Sequence, residues 1–266
     1  MSLAFVTRQW RMFRMACQFF TRIPVGNISH FQASELNKAT RYFSLVGLLV
    51  GTILFAFYLM FSLFLPVNVA IVLIMIVGTL LTGAFHEDGL ADMADGMGGG
   101  FTVEAKLAIM KDSRLGTYGA ITLFLALMLK FTLLTQIADT AFMAFALLFA
   151  HGFSRGIAAS LIISTPYVSE EKGSKSKPLA QQQGLLDCLI VLVVGVLPLI
   201  LLPETLANLG FIMTMFGVLW LFRVLFRQWL TLRLGGFTGD CLGACQQIAE
   251  LFIYLIIVAF TMGGNT

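Results

Sequence analysis

The chain has 266 residues, of which 58% are hydrophobic and 12% charged, and its formal net charge is +3. Soluble proteins carry about 25% charged residues, and a mean hydropathy of +0.90 exceeds what a fold with a fully hydrated surface can accommodate. These values exclude a soluble globular enzyme and predict an all-α, polytopic bundle of transmembrane helices.

The first 41 residues alternate apolar and basic side chains. Arg8, Arg11 and Arg14 lie among residues such as Phe5 and Trp10, a pattern typical of an amphipathic helix on a membrane surface. The apolar part is too short and too rich in arginine for a cleaved signal peptide. We therefore expect a cytoplasmic amphipathic segment over 1–41, followed by one transmembrane domain over 42–262 and no separate soluble domain.

Crossing the hydrocarbon core takes about 20 apolar residues. Pro66, Asp139 and the pair Pro203-Glu204 interrupt the apolar runs, and longer polar segments separate the others. The resulting prediction is about seven spans, at 42–65, 67–85, 118–137, 140–163, 185–202, 205–226 and 246–262.

Basic residues set the predicted orientation. Lysine and arginine concentrate in the N-terminal segment and the longer loops, whereas the short turns near 66, 138 and 203 have none. The positive-inside rule then places the N-terminus and every long loop in the cytoplasm, which in a bacterium means the cytoplasmic (inner) membrane. Lys130 lies in mid-span and is expected to face protein or a polar cavity. The lysine-rich segment 170–184 is expected to be a mobile loop near anionic lipid or a nucleotide.

The stretch HEDGLADMADGMGGG, residues 86–100, places four acids directly after an uncharged run. Read as a helix continuing the preceding span, it puts Asp88, Asp92 and Asp95 within about 60° of one another on a single face. Such a stripe needs a cation, and oxygen ligands favour Mg²⁺, which commonly bridges carboxylates to phosphates. The alternative is a solvated acidic loop. Glu87 points away from this face but is kept as a further metal candidate.

Glycines accompany the acids in three places. Gly89 and Gly96 share a neighbouring face of the acidic helix, where they would admit a ligand or a second helix. MKDSRLGTYGA (110–120) and GGFTGDCLGA (235–244) each place one carboxylate, Asp112 or Asp240, beside glycines at the start of a span. The alternative for each is a helix N-cap, but their recurrence favours convergence on one site.

Candidate phosphate-binding residues are also present in the sequence. An arginine inside a span, such as Arg155, is costly and usually functional or paired, whereas His151, one turn earlier, is equally well explained by packing. No phosphate-loop, dinucleotide-binding or HExxH motif occurs, and no nucleic-acid partner is expected. The chemistry indicated is metal-assisted phosphoryl transfer at the membrane interface. The phosphate-binding candidates are Arg22, Lys111, Arg114, His151 and Arg155.

Five blocks in order along the chain resemble the cobalamin synthase family, the adenosylcobinamide-GDP ribazoletransferases. They are FFTRIPVG, RYFSLVGLLVG, HEDGLADMADGMGGG, KDSRLGTYGA and GGFTGDCLGA, spanning residues 19–244. One departure is Ser44, where the family more often has proline. It affects a helix end rather than the chemistry.

The resemblance implies a polytopic membrane enzyme. It would join adenosylcobinamide-GDP to α-ribazole or α-ribazole 5′-phosphate, releasing GMP in a Mg²⁺-dependent reaction. Charge and spacing then assign Asp88, Asp92 and Asp95 to the metal, with Asp112, Asp240 or a remaining aspartate such as Asp95 as base or second-sphere group. A homo-oligomer is left open.

Two alternatives remain. The segment DMADG, residues 92–96, matches the DxxDG element of CDP-alcohol phosphotransferases, but the rest of their motif is not reproduced after Gly96. Another membrane phosphotransferase is therefore the rival among enzymes. From a different class, a cation-coupled transporter could use the acids as its ion site.

Overall fold

The computed structural model describes residues 3–26, 28, 33–168 and 181–263. These residues confirm the all-α prediction, since their β-structure is limited to one isolated bridge between Tyr167 and Phe237. Most of the lysine-rich loop predicted at 170–184 lies outside the described residues. The helices are α1 (Leu3–Phe20), α2 (Ala33–Ala39), α3 (Phe43–Ser62), α4 (Val67–Thr82), α5 (Phe85–Gly99), α6 (Val103–Met110), α7 (Thr117–Gln136), α8 (Thr140–Ile162), α9 (Leu185–Val196), α10 (Leu209–Leu234) and α11 (Gly239–Gly263).

Each predicted span overlaps a helix of the structure. Within the described part of the chain, five helices are long and apolar enough to cross a membrane, and the bent pair α4–α5 would make a sixth. A shorter apolar helix covers Leu185–Leu201. The chain is therefore a multi-pass membrane protein, while the count of seven crossings stays a prediction. The five are Glu35–Ser62, Thr117–Gln136, Ala141–Ile162, Leu209–Leu234 and Gly239–Met262.

The acidic stretch is helical, as predicted, but the expectation that it continues the preceding span is wrong. Gly83 and Ala84 both adopt left-handed backbone conformations, with φ of 67° and 56°. Two successive residues of this kind cannot continue a right-handed helix. The chain turns by 86° between α4 and α5, and α5 packs against α6, α7 and α11.

Two helix ends also differ from prediction because polar side chains find partners inside the protein. We expected the sixth span to end at 226, yet α10 runs to Leu234. Its Arg223 donates hydrogen bonds to the hydroxyls of Ser160 and Ser164, so the arginine does not end the helix. Likewise α11 begins at Gly239 rather than 246, because Gln246 and its neighbours lie in a buried network.

The centre of the fold is α8, which packs against α3, α9 and α11. Glycines bring the backbones of α3 and α8 into contact. A Cβ atom at Gly47 would lie 2.0 Å from the carbonyl oxygen of His151, and one at Gly51 would lie 2.6 Å from that of Leu147. This close approach buries the polar residues of α8 within the bundle.

Candidate active site

The contact between α5 and α11 assembles the candidate site. A Cβ atom at Gly89 would lie 3.0 Å from the carbonyl oxygen of Asp240, and one at Gly243 would lie 3.3 Å from that of His86. Both distances are shorter than an ordinary van der Waals contact, so a side chain at either position would push the two backbones apart by a few tenths of an ångström. Of the two uses predicted for Gly89, close approach of a second helix is the one observed. The contact places the acidic face of α5 beside the N-terminus of α11.

Carboxylates from both helices form a cluster there, consisting of Asp88, Asp92 and Asp240. Asp92 lies in the electrostatic field of the other two and of Asp95, and Asp88 acts in turn on Asp240. Asp88 is exposed, whereas Asp92 and Asp240 are partly buried. The ion pairs of the described residues do not involve this cluster. Among the residues that the structure describes, no lysine, arginine or histidine is paired with its negative charge.

The cluster suits a hard cation by its chemistry, because its donors are all carboxylate oxygens. Among the described residues, no three His, Cys, Asp or Glu side chains are arranged to enclose a metal ion by themselves. Mg²⁺ does not require such a cage, since it usually keeps several waters and takes one or two carboxylates together with substrate phosphates. The residues present therefore fit this ion as a partner shared with a substrate.

Asp95 faces another direction from the cluster. Its two carboxylate oxygens accept hydrogen bonds from the backbone N–H groups of Gly116, at 2.7 Å, and Gly119, at 2.8 Å. These groups are the unpaired donors at the start of α7, where a carboxylate is also favoured by the helix dipole. The structure thus gives Asp95 an anchoring role between α5 and α7, and its predicted metal or catalytic role stays a prediction.

This anchor makes Gly119 sensitive to substitution. A Cβ atom there would lie 2.4 Å from Oδ2 of Asp95 and 2.8 Å from the carbonyl oxygen of Ala91, so we expect Gly119→Ala to lower the free energy of unfolding by about 1–3 kcal/mol. Gly217→Ala is the matched control, because nothing lies within 4 Å of the place that its added methyl group would take. Thermal unfolding in detergent checks this, and equal melting temperatures for the two variants would contradict it.

The loop between α6 and α7 holds three candidates at the surface. Arg114 pairs with Asp112 through Nη2 and Oδ2 at 2.5 Å, and Lys111 is exposed. Hydrogen bonds from Arg114 hold the pKa of Asp112 below its usual value, which makes Asp112 a weaker proton acceptor. The loop ends at Gly116 and so lies beside α5.

Arg22 lies at the bend between α4 and α5. Its backbone N–H donates to the carbonyl oxygen of Leu81 at 2.7 Å, and a Cβ atom at Gly83 would lie 2.4 Å from its Nε. The side chain is exposed. The guanidinium therefore sits just before the N-terminus of α5, the end of the helix from which the carboxylate face begins.

Glu87, His151 and Arg155 are brought together, but in the bundle interior rather than with the carboxylate cluster. Glu87 accepts a hydrogen bond from Nε2 of Gln247 at 3.3 Å, and Nη1 of Arg155 donates to the carbonyl oxygen of His151 at 2.8 Å. This places Glu87 on the side of α5 opposite to the predicted metal face, as its helical position implies.

Sequence reasoning missed the centre of this interior network, Glu250 of α11. Lys130 of α7 pairs with its Oε1 at 2.5 Å, and Nδ1 of His151 lies 3.6 Å from its Oε2. Gln246 and Tyr254 also donate to its carboxylate. Lys130 thus faces a protein partner, as expected. The sequence did contain a signal for this pair, because two opposite charges lie within predicted spans and such charges are costly unless they are paired.

Comparisons with known proteins agree with the motif pattern. An adenosylcobinamide-GDP ribazoletransferase of Vibrio cholerae serotype O1 is 50% identical over 258 residues, covering 97% of each chain. Proteins with the same name from Shewanella halifaxensis and Vibrio vulnificus are 50% and 48% identical, covering 94% of this chain and 96% of each relative. No solved structure matches the chain.

The family whose members are described as cobalamin-5-phosphate synthase matches residues 12–258. This range runs from α1 to α11 and includes the carboxylate cluster, the bend that positions it and the interior network. With that coverage, and with half of all residues identical to named relatives, the chain belongs to the cobalamin-5-phosphate synthase family.

Proposed function

We propose that the protein is an adenosylcobinamide-GDP ribazoletransferase that works at the carboxylate cluster. A hydroxyl of α-ribazole, or of its 5′-phosphate, attacks the phosphorus attached to adenosylcobinamide, and the bond to GMP breaks. The products are GMP and adenosylcobalamin or its 5′-phosphate. The names of the relatives support the substrates. The observation that supports the site is the group of three carboxylates, which form no ion pair with a cation of the described residues.

The resemblance to the family includes a requirement for Mg²⁺, and Asp88 and Asp92 are the two carboxylates that would hold it together with substrate phosphates. When bound, the ion would neutralise the diphosphate and stabilise the charge on the departing GMP. Asp92 and Asp88 come from adjacent turns of α5, while Asp240 approaches from α11.

The remaining polar residues of the site divide into two groups. Arg22 and the loop residues Lys111 and Arg114 are exposed and can bind phosphate oxygens as the substrate arrives. The proton of the attacking hydroxyl needs an acceptor, and Asp240 is the better candidate because Asp112 is already paired with Arg114. The buried His151 and Arg155 support the site from within the bundle.

We also propose that the site faces the cytoplasm from the cytoplasmic membrane of a bacterium. This proposal rests on the excess of lysine and arginine in the N-terminal segment and in the loops near the cluster. Cysteine-labelling of Lys111→Cys in spheroplasts and in inverted vesicles tests it. Labelling by an impermeant reagent only in inverted vesicles is expected, and labelling in spheroplasts would reverse the orientation.

The function is tested by mixing the detergent-purified protein with adenosylcobinamide-GDP, α-ribazole and Mg²⁺. Formation of adenosylcobalamin and GMP in equal amounts is expected, and removal of divalent cations with EDTA should abolish it. Product formation without sealed vesicles would also exclude an obligatory cation gradient, as a transporter would need. If CDP-linked alcohol substrates were consumed instead, with release of CMP, the protein would be a different phosphotransferase.

A further inference from the structure

An apolar groove lies on the outside of the bundle, between α8, α9 and α10. It contains about 620 Å³ of space, which falls within the roughly 300–1,000 Å³ of typical small-molecule sites. Gly217 of α10 keeps it open, because no atom lies within 4 Å of the place that a Cβ atom would take there. Only 22% of the most apolar part of α10 is buried inside the protein, so the groove opens towards lipid.

The two ends of the groove differ in polarity. Ser160 and Arg223 line one end, close to the point where α8 ends at Ile162. Phe153 and Phe216 line it seven residues earlier in α8 and α10, and their rings meet at 5.4 Å, so the two helices run side by side in the same direction. Seven residues of helix rise about 10 Å. The apolar part of the groove therefore extends about that far from the arginine towards the middle of the membrane.

A second arginine, Arg227, lies one helical turn beyond the polar end. Its Nε donates to the carbonyl oxygen of Ser164 at 2.9 Å, while Arg223 donates to the hydroxyl groups of Ser160 and Ser164. These acceptors are neutral, and the charge of Arg227 acts on Arg223. Neither arginine takes part in an ion pair within the described part of the chain. Two positive charges thus stand together at the edge of an apolar groove.

Trp220 marks the depth of this polar end. It lines the groove one turn before Arg223 and is 66% exposed. Tryptophan is enriched at the boundary between the hydrocarbon core and the lipid headgroups, because its ring is apolar and its N–H group is polar. The arginines therefore lie at the level where a phospholipid carries its phosphate.

We propose that this groove is a binding site for an anionic phospholipid such as phosphatidylglycerol. Its phosphate pairs with Arg223 and Arg227 through charge-assisted hydrogen bonds, and one acyl chain lies in the groove along Phe153 and Phe216. Basic sites between transmembrane helices characteristically bind anionic headgroups. A zwitterionic lipid has the same phosphate but adds a cation, which the two arginines disfavour.

A second copy of the chain is the less suitable occupant. It would cover Arg223 and Arg227 with protein, and burying a charge without a counter-charge costs several kcal/mol. The site also shares no helix with the carboxylate cluster, which belongs to α5 and α11. The inference is therefore independent of the proposed function.

Fluorescence of Trp220 tests the proposal, because brominated acyl chains quench tryptophan on contact. Trp10→Phe and Trp229→Phe leave Trp220 as the one tryptophan of the full-length protein, which is placed in phosphatidylcholine vesicles containing brominated lipid. Brominated phosphatidylglycerol should quench half-maximally at a mole fraction about fivefold or more below that of brominated phosphatidylcholine, since each arginine favours anionic lipid by about that factor. Equal quenching by the two lipids would overturn the proposal.

Filling the groove locates the lipid. Gly217→Leu places a side chain in the groove and should abolish the preference for phosphatidylglycerol. Gly217→Ala is the matched control, because it also raises helix propensity but adds only one methyl group, so the preference should persist. If both variants kept the preference, the lipid would bind elsewhere and the proposal would fail.

Removing one charge tests the headgroup contact. Arg227 is exposed, so Arg227→Gln leaves the core intact and should reduce the preference about fivefold. Arg233→Gln, which removes an exposed charge at the end of the same helix, should retain it. Equal preferences in these two variants would contradict the role of Arg227. Absence of quenching of Trp220 by either lipid would show that protein covers the groove, and would also overturn the proposal.

Discussion

Replacing Asp92 with asparagine should lower the rate of product formation by about a hundredfold. Asp92 is the member of the cluster on which the charges of Asp88, Asp240 and Asp95 all act, and a neutral amide of the same shape removes an anionic ligand without changing packing. The rate is measured with saturating substrates over a range of Mg²⁺ concentrations. The Mg²⁺ concentration for half-maximal rate should rise as the maximal rate falls.

Glu204→Gln is the control for this prediction. Glu204 is exposed in the turn before α10, so the substitution also removes one negative charge but leaves the cluster intact, and the rate should match wild type. Asp88→Asn is expected to show a smaller loss, of about tenfold, because Asp88 is the most exposed of the three. Full activity of Asp92→Asn would remove the carboxylate cluster from the mechanism.

The second large effect concerns stability rather than chemistry. Glu250→Gln should lower the free energy of unfolding by about 3–5 kcal/mol, because it leaves the ammonium group of Lys130 buried without its counter-charge. The Glu250 side chain is 1% exposed and that of Lys130 11%, so water cannot replace the lost partner. Thermal unfolding in detergent should show a melting temperature lower by about 10 °C.

The double variant Lys130→Met with Glu250→Gln tests the cause of that loss. Once the buried cation is also removed, most of the lost stability should return, since a buried ion pair often contributes little more than a neutral replacement. If the double variant were as unstable as Glu250→Gln alone, the loss would come instead from the hydrogen bonds of Gln246 and Tyr254 to Glu250. The comparison thus shows whether the lost stability comes from the ion pair or from the hydrogen-bond network.

The helices and the acidic face were predictable because each follows from local spacing. Apolar runs of about 20 residues become helices in lipid, and the 3.6-residue period puts Asp88 and Asp92 on one face. That Asp240 joins these two residues at one site was suggested only by the glycines that stand beside the acids in each motif. The contact itself depends on a fit between α5 and α11 at Gly89 and Gly243, which no local pattern reveals.

Other features could not be predicted because they depend on distant partners. The spacing of Asp95 places it on the same face as Asp88 and Asp92, yet its carboxylate is bound by backbone N–H groups at the start of α7. In the sequence, only Gly83 indicated a bend before α5. Nothing indicated the left-handed conformation of Ala84, because alanine strongly favours the right-handed helix. Glu250 appeared only as a polar residue near the start of a span, because its partner Lys130 lies 120 positions away in the sequence.

The bend at Gly83 and Ala84 also bears on how the chain enters a membrane during synthesis. If α5 continued α4 as one straight helix, the acidic residues after Thr82 would lie closer to the hydrocarbon core. An ionised side chain at the centre of a transmembrane helix costs about 2.5–3.5 kcal/mol. With the chain turned by 86°, α4 can be inserted as an uncharged hairpin partner of α3 while α5 stays at the surface. The same two residues that orient the carboxylates therefore also turn the acidic helix out of the line of the apolar one.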